Sequence, residues 1–134
     1  MIRRLSVWSL LLALVGSLVF VAPAYAVNRV VHDFRLRHVT VDGVVKLLAT
    51  AHIAASDGGG NSVAECAQKV PVRVQRRGGG RWKTIKKTRT SSTARVRTRF
   101  ADRAGRYRLL LPAHTTANNT ECFKAISETK RHTH

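Results

Sequence analysis

A strict alternation of arginine with apolar residues limits what this chain can fold into. From 95 to 100 every odd position is arginine, and the even positions hold Val96, Thr98 and Phe100. A second alternation runs from 106 to 111, with Tyr107 and Leu109 on the apolar side. Successive side chains of a strand point to opposite faces. The pattern therefore predicts half-buried β-strands with arginine on the wet face of a sheet.

Turn sequences separate these runs from further strand-like segments. Alternating apolar residues recur over 34–38, 45–53 and 70–74, while a strand near Trp82 shows no clear buried face. Turn residues occupy 57–61, 78–80, 91–92 and 102–105, and no stretch keeps a helical period. The sequence predicts an all-β, antiparallel sandwich of about seven strands.

The first 26 residues have the features of a secretory leader. Arg3 and Arg4 precede an almost unbroken apolar run over 5–21, and Ala24-Tyr25-Ala26 offers small residues for cleavage. An uncleaved anchor is the alternative, but the run is shorter than the roughly 20 residues that a membrane helix needs. We expect a cleaved signal peptide over 1–26, no transmembrane span after cleavage, and a secreted, extracellular or cell-wall-associated protein.

The remaining chain has the length of one domain, over 27–128, followed by a polar flexible tail over 129–134. The full chain has a formal net charge of +17, of which Arg3 and Arg4 would leave with the signal peptide. Cys66 and Cys122 are the only cysteines. In an exported protein such a pair predicts one structural disulfide, because a redox or metal-binding pair would favour CxxC spacing.

Several segments resemble the small secreted immunoglobulin-like or fibronectin-III-like β-sandwich domains of actinobacteria. The segments that carry the resemblance are KLLATA at 46–51, Asp57-Gly58, Cys66, VPVRVQRR at 70–77, GRWKTI at 80–85, residues 88–92, DRAGRYR at 102–108 and CFKAIS at 122–127. The resemblance implies a scaffold and a disulfide, and it implies no catalytic residue. Attached to larger proteins, such domains resemble spacers and surface or carbohydrate-associated modules.

Two positions bear on this resemblance. Tyr107, with Asp102 and Gly105 before it, fits the corner at which a tyrosine hydroxyl of an immunoglobulin-like domain bonds to the preceding chain. An ordinary core aromatic is the alternative for Tyr107. Ala94 stands where a glycine is usual, so the turn type there stays open.

Catalysis finds no support in the sequence. No G-x-S-x-G elbow occurs, and Asp57 and Asp102 lie in turn sequences where local hydrogen bonding is the ordinary role. His132 and His134 form a His-x-His that could bind Zn²⁺ or Cu²⁺ loosely, but a polar tail is the simpler interpretation. We expect a protein that is not an enzyme and has no cofactor and no dedicated metal site.

Binding to an anionic polymer is the favoured function. Arginines two apart in a strand form a row with about 7 Å between neighbours, and guanidinium groups make bidentate contacts with phosphate or sulfate. Arg106 and Arg108 could form a second row if the strand that carries them pairs with the strand over 95–100. The candidate residues are Arg95, Arg97, Arg99, Arg106, Arg108, Arg73, Arg76, Arg77 and Arg81.

Teichoic acid and acidic polysaccharide of the cell envelope are the partners that this chemistry fits. Sequence-specific nucleic-acid binding is not expected, because exposed aromatics do not interleave the charges. The alternatives are solubilising charge and a structural or protein-interaction module. Organised binding predicts that serine at Arg95, Arg97 and Arg99 lowers retention on an anionic matrix more than serine at the comparison set Arg29, Arg35 and Arg37.

Overall fold

The computed structural model describes residues 25–134, so all of the predicted signal peptide except its last two residues lies outside it. The described chain is all-β apart from one 3-10 turn, Ala64–Cys66. No helix within 25–134 is long and apolar enough to cross a membrane. The strands are β1 (Tyr25–Val41), β2 (Val44–Ser56), β3 (Pro71–Arg77), β4 (Lys83–Arg89), β5 (Arg95–Ala101), β6 (Gly105–Leu111), β7 (His114–Thr115), β8 (Thr120–Cys122), β9 (Ala125–Ile126) and β10 (Lys130–His132).

These strands form two sheets. Sheet I has the order β5-β2-β1-β8-β7, and sheet II has the order β10-β6-β3-β4, with β9 also paired to β6. All pairings are antiparallel except β1 with β8, which is parallel. The sequence predicted about seven antiparallel strands. The structure has ten strands in 25–134. β1 to β6 correspond to the segments with a strand pattern, whereas β7 to β10 have only two or three residues, too few to show an alternation in sequence.

The core lies between the inner faces of the two sheets. On β5 the even-numbered side chains are buried and the arginines are exposed, as the alternation predicted. Burying these apolar faces is the main force that holds the sheets together. The largest fully buried side chains include Phe34, Leu47, Ile53, Val72, Tyr107, Leu109 and Leu111.

A bulge in β1 reverses which residues of that strand face the core. His32 pairs with His52 and the next pair is Arg35 with Thr50, so two residues of β1 lie opposite one residue of β2 and β1 has one extra residue. Asp33 takes a φ of 53° at this point. Arg29 is therefore buried before the bulge and Phe34 after it, although one position is odd and the other even.

The end of the chain is part of the fold. Lys130–His132 is β10, which pairs with β6, and His132 Nε2 lies 2.7 Å from Asp102 Oδ1. The predicted flexible tail over 129–134 is therefore corrected for these three residues. Their polar composition concealed the strand because backbone pairing and polar side-chain contacts hold it, and apolar burial does not.

The disulfide Cys66–Cys122 is present, as predicted. It joins the 3-10 turn to β8 across 56 positions, with a Cα–Cα distance of 5.5 Å. Glu65 supports the same junction, because its carboxylate accepts hydrogen bonds from Thr120 Oγ1 and from Asn118 Nδ2, the latter at 3.0 Å. These hydrogen bonds, led by Thr120, hold the pKa of Glu65 below its ordinary value.

Acidification should weaken this junction through Glu65. A carboxyl whose pKa is lower in the folded state stabilises the fold above its unfolded-state pKa, and that contribution disappears as the pH falls through the folded pKa. We expect Glu65→Gln to lower the melting temperature at pH 7. Between pH 7 and pH 3 the melting temperature of this variant should fall less than that of the unsubstituted protein. Calorimetry of both proteins at the two pH values measures this. Parallel melting curves against pH would contradict it.

The structure answers two questions that the resemblance left open, the role of Tyr107 and the type of turn at Ala94. The Tyr107 ring is fully buried and its hydroxyl donates to the Arg103 carbonyl oxygen at 2.5 Å, so it is both a core aromatic and a tie to the preceding chain. Ala94 has a φ of 59°, the left-handed conformation that glycine adopts most easily. The turn before β5 thus keeps the glycine-type backbone without glycine.

Candidate functional site

The two predicted arginine rows lie on different sheets. Arg95, Arg97 and Arg99 are on β5, the edge strand of sheet I, whereas Arg106 and Arg108 are on β6, inside sheet II. β5 pairs with β2 and not with β6. The condition for a second row of Arg106 and Arg108 beside the first, pairing of the two strands, is therefore not met, because the chain crosses from one sheet to the other between them.

Strand β1 provides the second row of sheet I. In register across the sheet, Thr50 of β2 lies between Arg97 and Arg35, and Leu48 lies between Arg99 and Arg37. Strands are about 4.8 Å apart and alternate residues about 7 Å apart, which places the arginines on a grid of roughly 7 by 10 Å. We call this surface the sheet I basic face; it consists of Arg35, Arg37, Arg95, Arg97 and Arg99.

The sheet I basic face is open to solvent. All five arginines are exposed. Among residues 25–134 none of their guanidinium groups has an ion-pair or hydrogen-bond partner. Leu48 points outward between two of them yet is only 1% exposed. The aliphatic stems of its arginine neighbours can cover it and leave the guanidinium heads in water. Asp33 lines a shallow cavity of about 240 Å³ with Arg35 and Arg95.

Two of the predicted arginines of sheet II already have partners. Arg108 Nε donates to Gln75 Oε1 at 2.9 Å, and its guanidinium carbon lies 4.3 Å from the centre of the Trp82 ring. Arg76 donates twice to the Ala104 carbonyl oxygen, from Nε at 3.0 Å and from a terminal nitrogen at 2.5 Å. These contacts join strands and turns, and they leave the two guanidinium groups less available to a ligand.

A second basic surface crosses sheet II. Arg77 of β3 pairs with Arg106 of β6, which pairs with Arg131 of β10. All three are exposed and line an open groove of about 570 Å³. We call them the sheet II row. Arg73, half-buried, and Arg81, exposed in the glycine turn, belong to neither surface.

Like charges side by side should make the sheet II row locally unfavourable. Opposed like charges on one sheet face destabilise by roughly 0.2–1 kcal/mol. Arg106→Gln is expected to raise the free energy of unfolding by that amount at low salt, and the gain should shrink as salt screens the charges. Urea unfolding measures it. The control is Arg97→Gln, whose neighbour across the strand is Thr50. Equal effects of the two substitutions would contradict the expectation.

Sequence reasoning missed Arg35, Arg37 and Arg131 as members of a surface. Arg35 and Arg37 flank Leu36 and so repeat the Arg-x-Arg spacing of β5. This spacing could have identified them from sequence. Their alignment with β5 depends on the order of strands in sheet I, which a local pattern does not contain. Arg131 lay in the segment predicted to be a tail.

The comparison set Arg29, Arg35 and Arg37 is not uniform. Arg29 is only 6% exposed, and its guanidinium donates to the carbonyl oxygens of Phe123 at 2.8 Å and Pro112 at 2.7 Å. Burial lowers the pKa of Arg29 to about 10, so it stays charged at neutral pH. Arg29 is a structural residue, and the other two belong to the sheet I basic face itself.

The fold and these surfaces describe a basic, disulfide-linked, all-β protein of two sheets. Comparisons with family models, with curated proteins and with solved structures found no match to this chain.

Proposed function

We propose that this protein is a secreted, non-catalytic binding module that contacts an anionic polymer through the sheet I basic face. One observation carries the proposal: five exposed arginines stand in two rows across β1 and β5, without an internal ion pair among residues 25–134. The leader over 1–26 would direct export and would be removed from the mature protein. The partner would be an envelope polymer such as teichoic acid or an acidic polysaccharide.

The shape of the surface supports a polymer as the ligand. A strand face presents groups at regular intervals, which suits a chain of repeated phosphates or carboxylates better than one small molecule. Each guanidinium can make a bidentate contact with such a group. Loss of Arg3 and Arg4 with the signal peptide would leave a formal net charge of +15 (17 − 2), which would also speed encounter with any polyanion.

The order of strands supports the immunoglobulin-like or fibronectin-III-like scaffold that we also propose. In such sandwiches strands A, B and E share one sheet, and G, F, C and C′ the other. The orders β5-β2-β1 and β10-β6-β3-β4 match E-B-A and G-F-C-C′. The tie from Tyr107 to Arg103 is at the matching corner. The disulfide departs from this pattern, because it joins the 3-10 turn to β8 and not strands B and F.

A structural or protein-interaction module is the alternative. Charged side chains on edge strands prevent sheets from pairing edge to edge, and β5 and β4 are both charged edges. Protection of an edge could explain the arginines of β5. It does not explain Arg35 and Arg37, because β1 lies in the interior of sheet I. The arginines on this interior strand favour the binding function.

Matched triple substitutions test the proposal. The variant R95S/R97S/R99S and the control R77S/R106S/R131S each remove three exposed arginines, one set from each sheet. We expect the first to bind immobilised teichoic acid more weakly and to lower the slope of log affinity against log salt by about two to three, since each phosphate contact contributes about 0.7–0.9. The control should change both quantities less. R35S/R37S should act in the same direction as the first variant.

The other outcomes are equally informative. Equal losses from the two triple variants, with similar retention on teichoic acid, heparin and duplex DNA, would mean diffuse charge and no organised site. A larger loss from the control would move the site to the sheet II row. Binding that does not respond to salt would favour the protein-interaction alternative.

A further inference from the structure

Three histidines surround one carboxylate at an end of the sandwich. His132 Nε2 lies 2.7 Å from Asp102 Oδ1, His38 Nε2 lies 3.2 Å from Asp102 Oδ2, and His134 Nδ1 lies 3.9 Å from the same oxygen. The rings of His38 and His132 meet edge to face, with centroids 4.8 Å apart. We call these four residues the His–Asp cluster.

Distant parts of the chain meet in this cluster. His38 is near the end of β1 in sheet I, Asp102 directly follows β5, and His132 ends β10 in sheet II. The inner part is sheltered, since the side chains of His132 and Asp102 are 11% and 16% exposed. The side chains of His38 and His134 are more than half exposed, which leaves a path from solvent.

The donor atoms have the composition of a transition-metal site. One ligand atom each from His38, Asp102 and His132 lie within 4.8 Å of one another. Imidazole nitrogen suits Zn²⁺, Cu²⁺ and Ni²⁺, whereas Ca²⁺ takes six to eight oxygen ligands and Mg²⁺ an octahedral oxygen shell. Around a tetrahedral Zn²⁺ the ligand atoms are about 3.3 Å apart. The His132 and His38 nitrogens lie 2.7 and 3.2 Å from Asp102 oxygens, close to that value, and no two of the three ligand atoms are more than 4.8 Å apart.

We propose that the His–Asp cluster binds one divalent transition-metal ion of the Zn²⁺ class. The ligands are His38 Nε2, a carboxylate oxygen of Asp102 and His132 Nε2. His134, whose Nδ1 lies 3.9 Å from Asp102 Oδ2, can supply the fourth ligand after a side-chain rotation. The ion takes the place of the Nε2 hydrogen bonds between the histidines and the carboxylate: each neutral imidazole turns its Nε2 lone pair to the metal and carries its proton on Nδ1. Because β1 and β10 belong to different sheets, the bound ion joins the sheets and anchors the end of the chain.

Titration with Zn²⁺ and Co²⁺ tests the site. The protein is expressed from its full-length coding sequence without a tag, and its disulfide is left intact. We expect one ion per chain by calorimetry, a higher melting temperature with Zn²⁺, and the intense visible absorption of tetrahedral Co²⁺. His38→Ala and His132→Ala should each weaken binding by more than about tenfold, the lower end of what loss of an outer-shell partner costs.

His32→Ala is the matched control, because it removes an exposed histidine outside the cluster. It should leave the affinity and the Co²⁺ spectrum unchanged. His38→Ala keeps the test decisive if the His132 variant unfolds, since the half-exposed His38 leaves the pairing of β10 with β6 intact. The absence of a stoichiometric site, or equal weakening by His32→Ala and His38→Ala, would overturn the proposal and leave a cluster of hydrogen bonds.

Discussion

Replacing Arg29 with methionine is expected to lower the free energy of unfolding by about 3 kcal/mol. The guanidinium donates to the carbonyl oxygens of Phe123 and Pro112 and lies 3.5 Å from that of Cys66. A hydrogen bond to a charged group contributes roughly 1.5–3 kcal/mol, and buried carbonyls left without a donor add a penalty. The relief of no longer burying a charge offsets part of this loss.

Urea unfolding of Arg29→Met, Arg29→Lys and Arg35→Met separates charge from hydrogen-bond geometry. Arg29→Lys keeps the charge but cannot reproduce the planar fork, so its loss should be intermediate. Arg35 lies on the same strand beyond the bulge and is exposed, so its substitution should stay within about 0.5 kcal/mol. A methionine variant as stable as the unsubstituted protein would show that Arg29 does not support the segment around β7 and β8.

Removing the disulfide is expected to have the largest effect. The bond closes a separation of 56 positions, and the chain-entropy model assigns a loop of that size about 4 kcal/mol. The variant C66S/C122S should lose that amount in urea unfolding. Its hydrogen exchange should rise first in β8. After removal of residues 1–26 this strand keeps one residue pair with β1, Val27 with Cys122, and two residue pairs with β7.

The reduced protein without substitution is the control for C66S/C122S, because it lacks the bond but keeps both sulfur atoms. A loss below about 1 kcal/mol in both would mean that Arg29 and Glu65 hold β8 unaided. The bond and Arg29 support the same segment, so their combined effect should be smaller than the sum of the separate effects. Strict additivity would indicate independent supports.

The local features of this fold could be predicted from short-range patterns. Alternation predicted that Val96, Thr98 and Phe100 would be buried and their arginine neighbours exposed, because a strand sends successive side chains to opposite faces. Two cysteines leave one possible intramolecular pair. The turn sequences predicted where β2 to β5 end, because glycine, aspartate, asparagine and serine adopt turn conformations easily. The turns after β1 and β6 were not among them.

The candidate surfaces could be predicted only in part, because they depend on which strands become neighbours. Arg95, Arg97 and Arg99 were found from sequence, but Arg35 and Arg37 join them only because β2 pairs with both β1 and β5. A strand's alternation is the same whichever strand lies beside it. The choice of neighbour follows from how the whole chain buries its apolar faces.

Sequence alone therefore determined the all-β class, the alternating faces and the single disulfide, since each follows from the period of a strand or the count of a residue type. Tertiary structure alone decided the rest. The bulge at Asp33 turned Arg29 into the core, the change of sheet after β5 divided the arginines between two surfaces, and the pairing of β10 with β6 brought His132 to Asp102. These outcomes depend on contacts between residues far apart in the chain, which a short window of sequence does not contain.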